Sequence, residues 1–300
     1  MGPLQRLERE LGKFHAHYRI VSTVHTGELH EEIETRYGEG KIHAEVYEDH
    51  LSGFQYRPAQ KSGTVCSVFV IAVAQGMSIA GFRPGKRHLK AVIPPTYIFS
   101  KIRNKCLDTL SGVLGRETTI EKAVLPLKLL AVRSGLGEYG KNGLCYVRGM
   151  GSFTRLEAFY VDRIFDRDDW REPTVMPECD DCARCRDNCP TDCIDEENPR
   201  IDAGRCLTFH NESEREFPEY IRKNAHNALV GCIRCQSVCP VNSKHLKARE
   251  YIESFTEEET ALILDNRHDS SKSLRLKLKR HDMDGYGEVL ARNLHVLLER

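Results

Sequence analysis

Apolar residues recur every three or four positions in several stretches of the chain, which predicts amphipathic helices. In the first part of the sequence this spacing predicts helices over residues 3–15, 28–37 and about 95–114. A first strand is predicted over 18–24. The run at 65–74 (VCSVFVIAVA) is short, apolar and rich in β-branched residues, so it predicts a buried central strand.

The middle of the chain predicts a loop, one more helix and two strands. Residues 81–95 are rich in glycine, proline and basic residues, which indicates a loop that is either solvated or in contact with a phosphate or carboxylate. Pro126 suits the first turn of a helix, so Glu121 is expected in the loop before that helix. Segments 144–147 and 155–161 are expected to pair with each other around a glycine-rich turn.

The last 50 residues predict helices. Thr256 and Glu259 have the spacing of a capping box, which opens a helix. A final helix is expected from about Gly287, because leucines recur along one face after it. Residues 251–300 are therefore predicted to form a short helical cap.

Eight of the twelve cysteines fall in a spaced pattern. A first run, C-x2-C-x2-C-x3-C-P, occupies 179–190, and a second, C-x2-C-x3-C-P, occupies 232–240, with one further cysteine between them. This spacing is typical of two [4Fe-4S] clusters in which the cysteine before each proline binds the other cluster. The rule assigns a first set, Cys179, Cys182, Cys185 and Cys239, and a second set, Cys189, Cys206, Cys232 and Cys235.

Other uses of these cysteines are less favoured. A pair of zinc sites also uses C-x2-C, but the C-x3-C-P endings are unusual for zinc. Disulfides are disfavoured because nothing marks the chain as secreted. Cys193 is expected to be a spare thiol, since the two sets already supply four ligands each, and Cys106 is expected to pack inside a helix interface.

Composition limits the classes of partner. Lys and Arg number 44, as do Asp and Glu, so the net charge is about zero and gives no support for bulk nucleic-acid binding. A local basic patch stays possible. The N-terminus lacks the apolar core of a signal peptide, and the longest apolar run is too short to span a bilayer. A reduced cytoplasmic setting without a membrane partner is therefore expected.

A glycine-rich stretch, LAVRSGLGEYGKNG, occupies residues 130–143. Its four glycines permit close backbone approach to something flat or bulky. The stretch follows a helix and not a strand, so it is not a dinucleotide-binding fingerprint. Tyr139 and Lys141 are candidate contacts of a cofactor or substrate; the alternative is a packing tyrosine and a loop lysine.

These motifs together resemble epoxyqueuosine reductase, the cobalamin-dependent iron–sulfur enzyme of queuosine tRNA modification, and more distantly the reductive dehalogenases. The likeness covers roughly residues 60–300. Its carriers are the stretch at 130–143, the Gly151-Ser152 turn, the runs at 179–192 and 231–242, and Cys206. The cysteines alone would be shared with many ferredoxin-like proteins, whereas their combination with R-x-G-L-G-x-x-G-K-N is much more specific.

The resemblance implies an α+β fold in three parts. An N-terminal α/β domain, 1–175, would hold cobalamin against a ferredoxin-like domain with two [4Fe-4S] clusters, 176–250, followed by the helical cap, 251–300. The family's catalytic Asp, counted back from the G-L-G motif, falls on Glu121, and its usual Trp is Glu138. The implied cofactor-binding residues are Gly135, Gly137, Tyr139, Lys141 and Asn142.

The implied function is that of a cobalamin-dependent reductase. A low-potential donor of ferredoxin or flavodoxin type would send electrons through both clusters to cobalt and then to a small molecule or a tRNA nucleoside. The sequence ends where family members continue into HEAT-like repeats that help hold tRNA, so a shortened form is expected and tRNA is left open as a partner. The alternatives are a corrinoid-reducing or electron-transfer protein that serves a partner enzyme, and a two-cluster ferredoxin. About 175 residues outside the clusters exceed what a simple electron carrier needs.

Overall fold

The computed structural model of the protein describes residues 2–58, 66–195 and 201–300. Within them the chain mixes helices and strands, as expected. The helices are α1 (Pro3–Gly12), α2 (Thr26–Gly38), α3 (Ala44–Val46), α4 (Ser100–Leu114), α5 (Leu127–Arg133), α6 (Arg184–Asp187), α7 (Leu207–Glu212), α8 (Arg234–Ser237), α9 (Glu257–Leu264), α10 (Lys272–Arg280) and α11 (Gly287–Leu298). The strands are β1 (Ala16–Ser22), β2 (Ser67–Ala74), β3 (Met77–Phe82), β4 (Leu89–Ile93), β5 (Ile120–Lys122), β6 (Glu138–Tyr139), β7 (Cys145–Tyr146), β8 (Thr154–Val161) and β9 (Arg249–Ser254). No helix in the described ranges has both the length and the apolar character needed to cross a bilayer.

A four-stranded antiparallel sheet, in the order β1-β2-β8-β5, forms the centre of the N-terminal part. The predicted buried strand is confirmed as β2; its first predicted residue, Val65, lies outside the described residues. Val68 and Val70 pack towards α2 and α5, whereas Phe69 and Ile71 pack towards α1 and α4. Both faces of β2 are therefore covered, which explains why its sequence is apolar at nearly every position.

The predicted helices around this sheet are also confirmed. Those expected over 3–15 and 28–37 are α1 and α2, and the helix expected from about residue 95 begins at Ser100 as α4. Cys106 is 0% exposed on α4 and belongs to the core between α4 and the sheet, so its expected packing role is confirmed.

The loop predicted over residues 81–95 is wrong at both sides of its centre, where residues 81–82 and 89–93 are strand residues. β3 and β4 form an antiparallel hairpin there, with Ser78 opposite Ile93. Pro84 and Gly85 occupy only its tip, where Gly85 has a φ of 59°. The signal was misleading because the tip residues dominate the composition, whereas the flanking apolar residues pair as strands.

The pairing expected between segments 144–147 and 155–161 is also wrong. β7 pairs with β6, and β8 pairs with β2 and β5. The turn between them contains an isolated bridge from Val147 to Gly151. β8 is buried along both faces, so it is stable only in the interior of the large sheet.

Glu121 lies in the edge strand β5 and not in a loop. Its Cα is opposite that of Tyr160 on β8. Residues directly opposite each other in an antiparallel pair project to the same face of a sheet. Tyr160 belongs to the core that α2 and α5 cover, so Glu121 projects to that face as well.

The C-terminal region contains a strand that the sequence did not reveal. β9 pairs in parallel with β3, and α9, α10 and α11 pack on the resulting three-stranded sheet. The capping box is confirmed: the Thr256 hydroxyl accepts from the Glu259 N–H at 3.2 Å, and the Glu259 carboxylate accepts from the Thr256 N–H at 3.0 Å. The expected boundary at residue 250 falls inside β9, and the expectation of a purely helical cap omitted this strand.

We expect the C-terminal helices to stabilise the whole chain, because they share a core with β3 and β4. Leu274 on α10 is 0% exposed in that core, so Leu274→Ala should lower the free energy of unfolding by about 2–5 kcal/mol. Guanidinium unfolding of the purified protein measures this change. Leu276→Ala on the same helix is the matched control, since Leu276 is 54% exposed and its loss should change the free energy by less than about 0.5 kcal/mol. Equal effects of the two substitutions would contradict the shared core.

Candidate functional site

The two cysteine runs fold into local structures of the same kind. Each contains one four-residue helix, α6 in the first run and α8 in the second, and the two helices pack against each other. The residues before them, Ala183 and Ile233, have nearly equal backbone angles: φ −111° and ψ 0°, and φ −113° and ψ −1°. Pro240 begins a short 3-10 turn directly after Cys239, as expected for a proline at a helix start.

The first set of cysteines surrounds one cavity. Its volume is about 90 Å³. All four predicted ligands line it, namely Cys179, Cys182, Cys185 and Cys239. Cys239 lies more than 50 positions after the others in sequence, so the tertiary fold brings together the set that the spacing rule assigned. Burial raises the pKa of Cys179 and Cys185.

The four cysteines of the second set are also close enough to influence one another. Burial raises the pKa of Cys232 to about 11, and the charges of Cys206 and Cys189 act on it in the same direction. Burial likewise raises the pKa of Cys235, with further contributions from Cys232, Cys206 and Cys189. Cys235 is near enough to Cys185 of the first set to feel its charge as well. The two sets therefore adjoin.

Cys193 lies between two members of the second set. Its Sγ is 3.5 Å from the Sγ of Cys189, and it also shares a hydrogen bond with Cys206. The bond to Cys193 is the main cause that lowers the pKa of Cys189, to about 5, and of Cys206, to about 7. The same two bonds raise the pKa of Cys193, which is 3% exposed. The arrangement favours two thiolates with one protonated thiol between them.

The chemistry of this donor set suits clusters. Eight thiols in two groups of four match the number of cysteine ligands of two [4Fe-4S] clusters. Within the described ranges, no group of three or more His, Cys, Asp or Glu residues is placed to hold a single metal ion. The four thiolates of a cluster bind four different irons, so they stand farther apart than ligands that share one ion.

The glycine-rich loop between α5 and β7 lies against the first set. The Lys141 Nζ donates to the Asp180 carbonyl at 2.8 Å. The Lys141 backbone is also hydrogen-bonded to Cys179, which partly offsets the rise that burial causes in the pKa of this thiol. The Asn142 Nδ2 donates to the Tyr146 hydroxyl at 2.9 Å. Tyr146 is in turn hydrogen-bonded to Cys239; burial first and this bond second raise its pKa. Two independent links thus join the loop to the cysteines.

Two of the glycines are required by contacts within the protein itself. A Cβ on Gly137 would stand 2.6 Å from the Cys145 Sγ, and one on Gly140 would stand 2.6 Å from the Tyr146 ring. Both contacts close the small β6–β7 hairpin. The glycine-rich sequence predicted a close approach of the backbone to another group. At these two positions that group is β7 of the protein itself.

The remaining candidate cofactor residues differ in their accessibility. Asn142 is 3% exposed and bonded inside the protein, whereas Gly135, Tyr139 and Lys141 are partly exposed. The Tyr139 N–H donates to the Thr174 carbonyl at 2.8 Å, and burial raises the pKa of its phenol. Lys141 is the candidate that reaches the cysteine loops directly.

A buried amide joins the N-terminal part to the cluster segment. Asn242 is 0% exposed, and its Oδ1 accepts from the Ser152 N–H at 2.9 Å. Its Nδ2 donates to the Ser152 Oγ at 2.9 Å, and that hydroxyl donates to the Gln236 Oε1 at 3.0 Å. The Gly151-Ser152 turn is thereby fixed on the segment that carries the second cysteine run.

Sequence reasoning missed two of these residues. Tyr146 was given no role within the predicted strand 144–147, and Asn242 was only the last residue of the run at 231–242. Asn142 was found, but its contact is to Tyr146, so it acts on the first set through that residue. Glu121 projects to the sheet face that α5 covers. The glycine-rich loop continues directly from α5.

Comparisons with known proteins agree with this geometry. The family described as a 4Fe-4S double cluster binding domain matches residues 178–242. Epoxyqueuosine reductase of Staphylococcus aureus is 27% identical over 226 residues, which cover 72% of this chain and 58% of that protein. The enzyme of Cyclobacterium marinum is 31% identical over 197 residues, which cover 64% of this chain and 60% of that protein.

The fold leads to the same proteins. The solved structure of epoxyqueuosine reductase from Streptococcus thermophilus matches with a TM-score of 0.65 at 19% identity, and covers 98% of this chain and 80% of that one. The structure from Bacillus subtilis matches with a TM-score of 0.67 at 20% identity and the same coverage. The chain spans about three fifths of the length of the curated relatives named above. It is related to the epoxyqueuosine reductases, has their fold, and contains a 4Fe-4S double cluster domain.

Proposed function

We propose that the chain is an iron–sulfur and cobalamin-dependent reductase of the epoxyqueuosine reductase type. The observation that carries this proposal is the contact between the glycine-rich loop and the first cysteine set. Lys141 holds the backbone of the first cysteine run, and Asn142 orients Tyr146 towards Cys239. A simple two-cluster electron carrier needs no such loop, whereas a reductase needs its cofactor region close to a cluster.

In this proposal the parts of the chain divide the work. Residues 1–175 hold the cofactor and substrate, and residues 176–250 deliver electrons. The helices of 251–300 cover the three-stranded sheet of β3, β4 and β9. The buried Ser152–Asn242 contact supports this division because it fixes the first two parts relative to each other.

We assign the second set to the cluster that receives electrons and the first set to the cluster that passes them on. The glycine-rich loop contacts the first set, and Cys235 adjoins Cys185, so the two clusters would be neighbours. Clusters of this type reach very low potentials, so the partner is proposed to be a low-potential donor of ferredoxin or flavodoxin type.

The residues beside the first set suit the polar edge of cobalamin. A cavity of about 260 Å³ is lined by two cationic residues, Lys141 and Arg186, and by three acidic ones, Asp180, Asp181 and Asp195. The cations match the phosphate and amide oxygens that surround a corrin ring, and the carboxylates match its amide N–H groups. When bound, cobalamin supplies a low-valent cobalt that attacks or reduces the substrate. Gly135, Gly137 and Tyr139 are proposed to shape the adjoining loop surface.

Glu121 is the proposed proton donor. Reductive removal of an oxygen atom consumes protons as well as electrons, and a positioned carboxyl group supplies them efficiently. The related Bacillus subtilis enzyme has an aspartate on a catalytic loop that can swing out of its active site. In this chain, counting back from the G-L-G motif leads to Glu121 in β5. Its side chain is longer than that of aspartate by one methylene, and its backbone is held by the pairing of β5 with β8.

The proposed substrate is epoxyqueuosine within tRNA. A solved epoxyqueuosine reductase, similar in fold with a TM-score of 0.66, was crystallised with an epoxyqueuosine-modified tRNA-Tyr stem loop. The activity and substrate are proposed for this chain because it spans about three fifths of the length of its curated relatives. A free nucleoside is the alternative substrate, and the turnover experiment below separates the two.

We expect about eight irons and eight acid-labile sulfides per chain after anaerobic reconstitution, since each set holds one four-iron cluster. Cys206→Ala should lower the iron content to about four, because the second set loses a ligand. Iron and sulfide analysis measures both. A wild-type protein that saturates near four irons would contradict the two-cluster assignment.

Reconstituted protein should bind cobalamin and convert epoxyqueuosine to queuosine when a strong reductant is supplied. Gel filtration measures cobalamin retention, and mass spectrometry of digested tRNA measures the product. Parallel reactions contain modified tRNA, its isolated stem loop or the free nucleoside. Turnover of the nucleoside alone would exclude tRNA recognition, and cobalamin binding without any turnover would favour the corrinoid-reducing alternative.

Glu121→Gln should keep both clusters and bound cobalamin yet slow single-turnover reduction by a factor on the order of 100, because the amide cannot donate the proton. Rapid-quench measurement of product gives this rate. Glu117→Gln is the matched control, since Glu117 is an exposed carboxylate in the turn before β5. Equal rates in the two variants would remove Glu121 from the mechanism.

A further inference from the structure

The sulfur atoms of Cys189, Cys193 and Cys206 converge at the second set. The proposed cluster there uses only two of these three, since the other members of the set complete its four ligands. Cys193 contacts Cys189 at 3.5 Å between the two Sγ atoms, and it is hydrogen-bonded to Cys206. Cys189 and Cys206 also act on each other through their charges. Cys193 is therefore a shared neighbour of both thiols.

This geometry identifies which thiol of the three is not a ligand. Thiolates bound to different irons of one cluster stand apart from each other, so two ligands of the same cluster are not in hydrogen-bond contact. Cys193 contacts both Cys189 and Cys206, so it fails this condition with either of them. The bonding pattern therefore agrees with the spacing rule, which assigned Cys206 to the second set and left Cys193 over.

The surroundings keep Cys193 in one position. It is 3% exposed, and its carbonyl accepts from the Asp202 N–H at 2.8 Å. Asp202 precedes the short turn that leads into Cys206, so this bond fixes the Cys193 backbone to the segment that carries that ligand. The Sγ of Cys193 is thereby held at hydrogen-bond distance from the Cys189 sulfur, which is an acceptor for its S–H.

We propose that Cys193 is a tuning residue of the second cluster, whose single S–H donates to the ligand sulfur of either Cys189 or Cys206 and raises the reduction potential of that cluster. A donor to a cluster-bound sulfur stabilises the added negative charge of the reduced state more than the oxidised state. Without this donor the second cluster would be harder to reduce. The proposal rests on the part of the proposed function that places a cluster on the second set, and it is independent of the substrate.

Other donors surround the same set, but each serves one ligand. The Thr191 hydroxyl is 3.7 Å from the Cys189 Sγ, Thr208 bonds to Cys206, and the Asn227 Nδ2 is 3.2 Å from the Cys232 Sγ. Cys193 differs because it lies between two ligands that come from the first cysteine run and from the separate Cys206 segment.

The test is a mediated redox titration of the reconstituted full chain, followed by electron paramagnetic resonance, with iron analysis of each sample. Cys193→Ala should keep about eight irons and lower the potential of one cluster. At the wild-type midpoint the ratio of reduced to oxidised cluster should fall about tenfold, equivalent to about 59 mV for a one-electron couple. Cys193→Ser should stay at or above the wild-type potential, because a hydroxyl also donates.

Cys106→Ala is the matched control, since Cys106 is an equally buried thiol in the core beside α4, remote from the cysteine sets. It should change neither potential. Two results would overturn the proposal: an unchanged potential in Cys193→Ala, which would make Cys193 a packing residue, and a loss of about four irons, which would make it a ligand. A wild-type protein without a second cluster would instead contradict the proposed function itself.

Discussion

The structure depends on thiols that meet from distant parts of the chain. Cys239 completes the first set although its other three members precede it by more than 50 positions, and Cys189 joins the later cysteines in the second set. Burial raises the pKa of Cys232 to about 11 and also raises that of Cys235, so these thiols keep their protons until iron replaces them. Cluster assembly and the folding of this segment are therefore coupled, and each contributes free energy to the other.

The N-terminal part supplies a rigid frame for this convergence. β2 is covered on both faces, and β8 runs beside it through the interior of the sheet. The turn before β8 carries Ser152, which bonds to the buried Asn242, and α5 leads into the loop that contacts Asp180 through Lys141. Both contacts use short, directional hydrogen bonds, so the position of the cofactor region relative to the cysteines is set by the sheet. A carboxylate on β5, at the edge of the same sheet, is held in the same frame.

The two clusters would have different electrostatic surroundings. Hydrogen bonds from the Lys141 backbone and Tyr146 reach the first set, so its environment follows the glycine-rich loop. The second set is surrounded by Cys193 and by side chains of its own segment, such as Asn227. Electron transfer between neighbouring clusters depends on the difference between their potentials, and separate donor sets let each potential be adjusted independently. The loop could then change with the substrate while the second cluster keeps its potential.

The sequence by itself determined the elements whose signal is local. Cysteine spacing predicted the two proposed ligand sets, because the turns that aim thiolates at a cluster are short, and the apolar run at 65–74 located the central strand. The capping box at Thr256 was likewise readable, since all its bonds lie within four residues. These features depend on neighbours along the chain, so one sequence contains everything needed to recognise them.

Only the tertiary structure decided what depends on distant partners. β9 became a strand because β3, some 170 positions earlier, offers it a free edge, and its own pattern of exposed residues indicates no strand. Glu121 is in a strand because β8 pairs with it, and Asn242 is bonded across the chain because the Ser152 turn reaches it. Cys193 was predicted to be a spare thiol, and its contacts with Cys189 and Cys206 appear only when three segments are folded together. Pairing and packing across the chain are set by the balance of all competing partners, and local patterns do not contain that information.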